Sequence, residues 1–165
     1  QLFLKSKKQG NHKLNGIILV NVEMRYSDNI VRDGCGKCTQ CMDGCPTGAL
    51  TAPYVMDARR CISYQTIESR RRYDEEVFNV THSGYIFGCD ACIETCPWTS
   101  RSRFTTWPEF SPLYSAKHGK KMIEFSPEDW FGLSEDDFRE IFKNSPVKRA
   151  GMSKIKNNLE KLITK

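Results

Sequence analysis

The feature that most constrains this chain is the spacing of its cysteines between residues 35 and 46. Cys35, Cys38 and Cys41 follow one another at intervals of three residues, and Cys45, four positions further on, stands directly before Pro46. Thiols spaced this closely lie in one tight loop, where several sulfur atoms can face a common point. The loop must therefore fold around whatever its thiols bind.

The remaining four cysteines form a longer, stretched version of the same run. Cys61 stands alone, Cys89 and Cys92 are three residues apart, and Cys96 is followed by Pro97. The chain has 165 residues, of which eight are cysteines. A chain of this length can bury a core without covalent links, so the cysteines need a reason beyond stability.

The first run resembles the one with which bacterial two-cluster ferredoxins hold 4Fe-4S clusters. In those proteins the cysteine before the proline binds the other cluster. Applied to this chain, the resemblance predicts two sets of thiolate ligands that exchange one cysteine each. The first set is Cys35, Cys38, Cys41 and Cys96, and the second set is Cys45, Cys61, Cys89 and Cys92.

Other interpretations of the cysteines remain open. Two structural zinc sites could use four thiolates each, although zinc needs neither a third closely spaced cysteine nor a repeated Cys-Pro. Disulfides also suit an even cysteine count, but no secretion signal precedes the cysteines. The aliphatic residues 17–20 are too few to cross a membrane. We therefore expect a reducing, cytoplasmic setting without a membrane, where clustered cysteines bind metal.

The pattern outside the cysteines predicts an α+β fold in three parts. Residues 1–33 form a connector with a strand at 17–24, residues 34–100 form a two-cluster ferredoxin-like core, and residues 101–165 form a mainly helical extension. Asp57 is a predicted helix cap. Further helices are predicted to begin at Ser126, Ser134 and Ser153, the first with a proline at its first position.

A longer stretch resembles the C-terminal iron–sulfur part of epoxyqueuosine reductase, over about residues 15–165. Plain ferredoxins lack its segment 57–64. The matching segments are Asp57-Ala-Arg-Arg-Cys-Ile-Ser-Tyr64, Gly88-Cys-Asp-Ala-Cys92, Cys96-Pro-Trp98 and Ser145-Pro-Val-Lys-Arg-Ala-Gly151.

The resemblance implies a fragment of a cobalamin-dependent enzyme that reduces epoxyqueuosine to queuosine in tRNA. Two 4Fe-4S clusters would receive electrons from an external donor and pass them to the corrin cobalt. The general acid and most of the corrin pocket would belong to an N-terminal domain, of which residues 1–33 are a remnant. We therefore expect no catalytic residue in this fragment, which should be inactive alone. We also expect the protein to be a monomer.

The resemblance also implies contacts beyond the clusters. By position, Ser63, Cys89 and Asp90 would approach the corrin, although a helix hydroxyl and a capping acid explain Ser63 and Asp90 equally well. The net charge of +5 permits an acidic partner. The basic residues expected to contact the tRNA anticodon loop, unless they form only a solvated face, are Arg59, Arg60, Lys148 and Arg149.

Two rival functions follow from the same residues. A free-standing two-cluster electron carrier would share the cysteine pattern but would not depend on cobalamin. A structural zinc module would share only the thiolates. Metal content separates the zinc module from the two iron–sulfur hypotheses.

Overall fold

The computed structural model describes residues 5–13, 16–28, 32–70 and 84–164. These residues form short helices, turns and two small antiparallel sheets, in keeping with the predicted α+β class. The helices are α1 (Gln40–Asp43), α2 (Ile62–Ile67), α3 (Ala91–Glu94), α4 (Pro127–Gly132), α5 (Glu135–Ile141), α6 (Val147–Ala150) and α7 (Met152–Ile163). The strands are β1 (Leu50–Ala52), β2 (Val55–Met56), β3 (Tyr114–Ser115) and β4 (Lys120–Lys121).

The strand predicted at residues 17–24 is wrong for this structure. Residues 16–28 contain no strand or helix, and Ile17, Ile18 and Leu19 are 86%, 86% and 93% exposed. A strand is held by hydrogen bonds to a neighbouring strand. Within the described residues, this aliphatic segment has no such neighbour, so its β-branched composition alone does not produce a strand.

The helix predicted after Asp57 forms in two pieces. A 3₁₀ helix spans Ala58–Arg60, and Asp57 caps it by accepting a hydrogen bond from the backbone of Arg59. α2 begins directly after Cys61, whose backbone is extended. The extended residue interrupts the helix and sets the Cys61 thiol between the two pieces.

The predicted helices of the C-terminal extension are present. The hydroxyls of Ser126 and Ser134 accept a hydrogen bond from the N–H of Asp129 and Asp137, the third residues of α4 and α5. In return, each aspartate carboxylate accepts the backbone N–H of its serine. Such reciprocal caps satisfy backbone groups that a helix end leaves unpaired. The predicted last helix, α7, begins one residue before Ser153.

The extension has its own hydrophobic core, made by one face of each helix. Phe138 and Phe142 lie with ring centroids 4.7 Å apart, and Trp130 stacks on Phe142 at 5.9 Å. The buried residues of this core are Met122, Leu133, Phe138, Phe142, Ala150 and Ile155. Ile86 and Phe87, which lead into the second cysteine run, pack against the same core. The extension therefore supports the cysteine region directly.

None of the helices in the described ranges is both long and apolar enough to cross a membrane.

The cap at Ser126 gives a first prediction. Replacing Ser126 by Ala removes the acceptor for the Asp129 N–H, which is bonded at 3.3 Å, and should lower the free energy of unfolding by about 1 kcal/mol. Urea unfolding followed by tryptophan fluorescence measures the change. Ser153→Ala, at an exposed position near the start of α7, is the control and should change the unfolding free energy by less than about 0.5 kcal/mol.

Candidate metal centre

The first cysteine run folds as a turn followed by one turn of helix. The N–H of Cys35 donates to Asp33 Oδ1 at 3.0 Å, and the N–H of Cys38 donates to the carbonyl of Cys35 at 3.1 Å. Gly36 turns the chain with a φ of +54°, a conformation that favours glycine. Cys41 then lies on α1.

The two cysteine runs approach each other so closely that side chains are excluded at two points. A Cβ on Gly34 would lie 2.7 Å from the Trp98 ring, and a Cβ on Gly44 would lie 2.5 Å from Thr95 Cγ2. The Trp98 indole N–H also donates to the carbonyl of Gly34 at 3.1 Å. Helices α1 and α3, which carry Cys41 and Cys92, pack against each other.

Cys45 is tied to the segment that carries Cys61. Thr47, two residues after Cys45, donates its hydroxyl to the carbonyl of Arg60 at 2.5 Å. The N–H of Ala49 donates to Cys45 Sγ at 3.2 Å. Burial raises the pKa of the Cys45 thiol, but bonds from Thr47, Ala49 and Leu50 outweigh burial, and the pKa lies below its ordinary value. These donors favour the thiolate, which is the form that binds metal.

The residue before Cys89 is bonded to α2, the helix that follows Cys61. The N–H of Gly88 donates to the hydroxyl of Thr66 on α2 at 2.9 Å. Burial raises the pKa of the Cys89 thiol above its ordinary value, against a bond from the Ala91 N–H that lowers it, and the charges of Cys61, Cys45 and Asp90 add to the rise. The bonds from Thr47 to Arg60 and from Gly88 to Thr66 bring the segments of Cys45, Cys61 and Cys89 together, although these residues are far apart in sequence.

Cys35 has a different neighbour, Lys5. The Lys5 ammonium contacts Cys35 Sγ and lies 3.8 Å from the Asp33 carboxylate. Burial lowers the pKa of Lys5, but the contact with Cys35 and the charges of Cys35, Asp33 and Cys96 outweigh it, and the pKa is raised. Cys96 is itself buried.

The donor set fits iron–sulfur clusters chemically. All eight cysteines lie within the described residues, and none forms a disulfide. The described residues contain no group of three or more His, Cys, Asp or Glu side chains placed to bind one metal ion. Ligands of a cubane each bind a separate iron atom, so they surround a larger volume than the ligands of one ion.

The residues expected near a corrin flank the Cys61 and Cys89 neighbourhood. Ser63 is half-buried on α2, and Asp90 is exposed at the start of α3, where its side chain makes no capping hydrogen bond. The capping interpretation of Asp90 is therefore not what the structure shows. Ser63 and Asp90 lie on two segments that the bond between Gly88 and Thr66 joins.

The four basic residues expected to contact tRNA have different local environments. Arg59 forms two hydrogen bonds with Asp57, at 2.9 and 2.8 Å, and Arg149 pairs with Glu68. The Arg60 guanidinium lies against Gly48. Lys148 is exposed on α6. The acidic partners therefore partly neutralise Arg59 and Arg149, two of the residues predicted to bind phosphate.

Several residues that hold the centre together carried no signal in the sequence. Asn158 on α7 is buried and donates to the carbonyls of Thr66 and Ile86, at 3.0 and 2.8 Å. It thereby fixes α2 to the residues that precede Cys89. Lys5 lies 30 residues before Cys35 in a basic stretch, so nothing in its spacing distinguishes it from neighbouring lysines.

Comparison with known proteins places the cysteines in a described class. Residues 34–99 match a family described as a 4Fe-4S double cluster binding domain. The match contains all eight cysteines and confirms the sequence-based prediction of two 4Fe-4S clusters.

The whole chain is similar to epoxyqueuosine reductases. It is 35% identical over 157 residues to the protein from Cellulophaga algicola, covering 95% of this chain and 49% of the relative. It is 39% identical over 146 residues to the protein from Escherichia coli strain K12, covering 88% of this chain and 36% of the relative.

Solved structures give the same result. A crystal structure of epoxyqueuosine reductase with an epoxyqueuosine-modified tRNA-Tyr stem loop aligns with a TM-score of 0.69 and 31% identity, over 84% of this chain and 35% of that chain. The enzyme from Bacillus subtilis aligns with a TM-score of 0.70 and 29% identity over the same shares. The chain spans less than half the length of these relatives.

The contact between Gly44 and Thr95 gives a second prediction. In Gly44→Ala the new methyl group meets Thr95, so α1 and α3 must separate and the bound iron should fall, with the unfolding free energy lowered by about 1–3 kcal/mol. Iron analysis and thermal unfolding measure both effects.

Two further variants test the cause. Gly132→Ala, where a Cβ would meet nothing within 4 Å, should leave iron content unchanged. Adding Thr95→Ala to Gly44→Ala should restore part of the iron, because the methyl group then has space. Equal losses in the single and double variants would contradict the steric explanation.

Proposed function

This chain corresponds to the iron–sulfur region of the epoxyqueuosine reductase family, and we propose that it relays electrons toward cobalamin during the reduction of epoxyqueuosine to queuosine in tRNA. The observation that carries the proposal is the close packing of the two cysteine runs. Thr47, after Cys45, bonds to the carbonyl of Arg60, before Cys61, and Trp98, after Cys96, bonds to the carbonyl of Gly34, before Cys35. A relay needs two clusters held close together, and this arrangement ties both into one unit.

We propose the ligand sets that this packing favours. Cys35, Cys38, Cys41 and Cys96 hold one cluster, and Cys45, Cys61, Cys89 and Cys92 hold the other. When bound, the clusters supply one-electron transfer and the corrin supplies a reactive cobalt. The chain's own residues hold iron through thiolates, donate backbone hydrogen bonds to sulfur, and limit the access of water.

We propose a division of the chain into three parts. Residues 34–100 form the two-cluster core, residues 101–165 form the helical extension that braces it, and residues 1–33 connect to the cobalamin-binding part of the enzyme. The aliphatic segment 17–24 is suited to pack against that part, because its apolar residues are exposed.

Ser63, Cys89 and Asp90 are the residues we assign to the corrin side. They lie on the two segments that meet at the hydrogen bond between Gly88 and Thr66. The proton donor for epoxide opening belongs to the rest of the enzyme, and this chain supplies no catalytic residue. The protein acts in the cytoplasm as a monomer with an external electron donor.

The deciding experiment uses the full-length enzyme purified without oxygen. We expect a brown protein with equal amounts of iron and acid-labile sulfide, which converts epoxyqueuosine in tRNA when cobalamin and a low-potential reductant are present. A colourless protein with bound zinc would instead support the structural zinc module. Iron–sulfur clusters without any conversion of epoxyqueuosine, with or without cobalamin, would support the free-standing electron carrier.

The ligand crossing gives a third prediction. In Cys45→Ala, the cluster that is damaged should be the one held by Cys61, Cys89 and Cys92, because Cys45 lies in their neighbourhood. Cys38→Ala, an exposed position in the same run, should damage the other cluster. Electron paramagnetic resonance of the reduced variants distinguishes the two, and identical residual spectra would overturn the assignment.

The exposed Lys148 gives a fourth prediction. Lys148→Ala should weaken binding of a tRNA stem loop by the full-length enzyme and reduce the salt dependence of the affinity by about one ion. Lys143→Ala removes the same charge from a lysine that pairs with Glu140 at 3.0 Å, and it should change neither quantity. Fluorescence anisotropy at several salt concentrations measures both.

A further inference from the structure

Lys5 is a partly buried cation that contacts one of the two cysteine runs. Its side chain is 12% exposed, and its ammonium contacts Cys35 Sγ. Lysine is rarely buried unless its charge is paired. The partners here are a thiol expected to bind iron and the Asp33 carboxylate at 3.8 Å.

The position of Lys5 is fixed by the segment that carries it. Ser6 and Gly10 exchange two backbone hydrogen bonds, at 2.8 and 3.0 Å. Asn11 is 3% exposed and accepts hydrogen bonds from Thr99 and Ser102, at 3.1 and 3.4 Å. The segment is therefore anchored to the residues that follow Cys96, and this anchoring holds Lys5 beside Cys35.

Hydrogen bonds also hold the Asp33 carboxylate in place. It accepts the N–H groups of Cys35 and Gly36, at 3.0 and 3.3 Å, and the Tyr54 hydroxyl at 2.6 Å. Tyr54 has a φ of +63°, which is uncommon for a residue other than glycine. This backbone conformation occurs at the residue whose hydroxyl holds the carboxylate in place.

We propose that Lys5 sets the reduction potential of the cluster bound by Cys35, with Asp33 as its counter-charge. Reduction adds one negative charge to a cluster, and a cation in contact with a ligand sulfur stabilises the reduced form. The effect weakens with distance, so it is strongest at the cluster whose ligand Lys5 contacts. Lys5 therefore raises the potential of this cluster more than that of the other, which gives the relay a direction. The inference rests on the proposed iron–sulfur function.

Lys5→Met tests the proposal, since methionine keeps the length of the side chain and removes the charge. The full-length enzyme, reconstituted anaerobically without cobalamin, is titrated with reductant, and both clusters are followed by electron paramagnetic resonance. We expect the equilibrium constant for reduction of one cluster to fall about tenfold, which is about 59 mV for one electron. The shifted cluster should be the one lost in Cys38→Ala.

The controls separate charge from structure. Lys8→Met removes the same charge from an exposed position in the same segment, and Lys5→Arg keeps the charge at the site. Neither should shift a potential as Lys5→Met does. Asp33→Asn removes the counter-charge and should shift the same cluster in the opposite direction, which keeps the proposal testable if Lys5→Met binds too little iron.

The outcomes remain distinguishable from those for the function itself. A chain that binds no iron–sulfur cluster contradicts the proposed function. A chain with both clusters, in which Lys5→Met and Lys8→Met have equal potentials, overturns the role of Lys5 alone. A shift of both clusters by the same amount also overturns it, because a local contact cannot act equally on two sites.

Discussion

The close approach of the two cysteine runs is the constraint on which the rest of this structure depends. The carbonyl of Gly34 accepts the Trp98 indole N–H, and Gly44 lies against Thr95 without space for a side chain. Because a backbone can approach another segment this closely only where Cβ atoms are missing, the two glycines decide where the runs meet. The approach brings together residues that lie 64 positions apart, Gly34 before Cys35 and Trp98 after Cys96.

The helical extension joins the segments that carry Cys61 and Cys89. Asn158 of α7 binds the carbonyls of both Thr66 and Ile86, so one buried amide joins α2 to the approach to Cys89. Such an amide is stabilising only while both partners are in place, because an unpaired buried donor costs about 1–3 kcal/mol. The hydrophobic core around Phe138 and Phe142 then holds α7 where this amide is needed.

Charge is distributed unequally around the two cysteine groups, and the difference suits an electron relay. Cys35 contacts a partly buried lysine, whereas Cys89 lies near Asp90 and Cys45 receives mainly neutral backbone N–H groups. Charge, hydrogen bonds to sulfur and solvent exposure are the means by which a protein tunes such clusters. The fold therefore brings the two cysteine runs close together and gives their thiols chemically different surroundings.

The sequence by itself determined the local features and the chemistry of the metal site. Cysteine spacing, the two Cys-Pro steps, and the serine caps at Ser126 and Ser134 all depend on residues within a few positions of each other, where spacing and geometry are directly related. The strand expected at residues 17–24 failed because a strand needs a partner, which composition cannot supply. The roles of Lys5, Thr66 and Asn158 were decided only by the tertiary structure. Each acts on a segment at least 22 residues away, and no local pattern records which distant backbone will meet a given side chain.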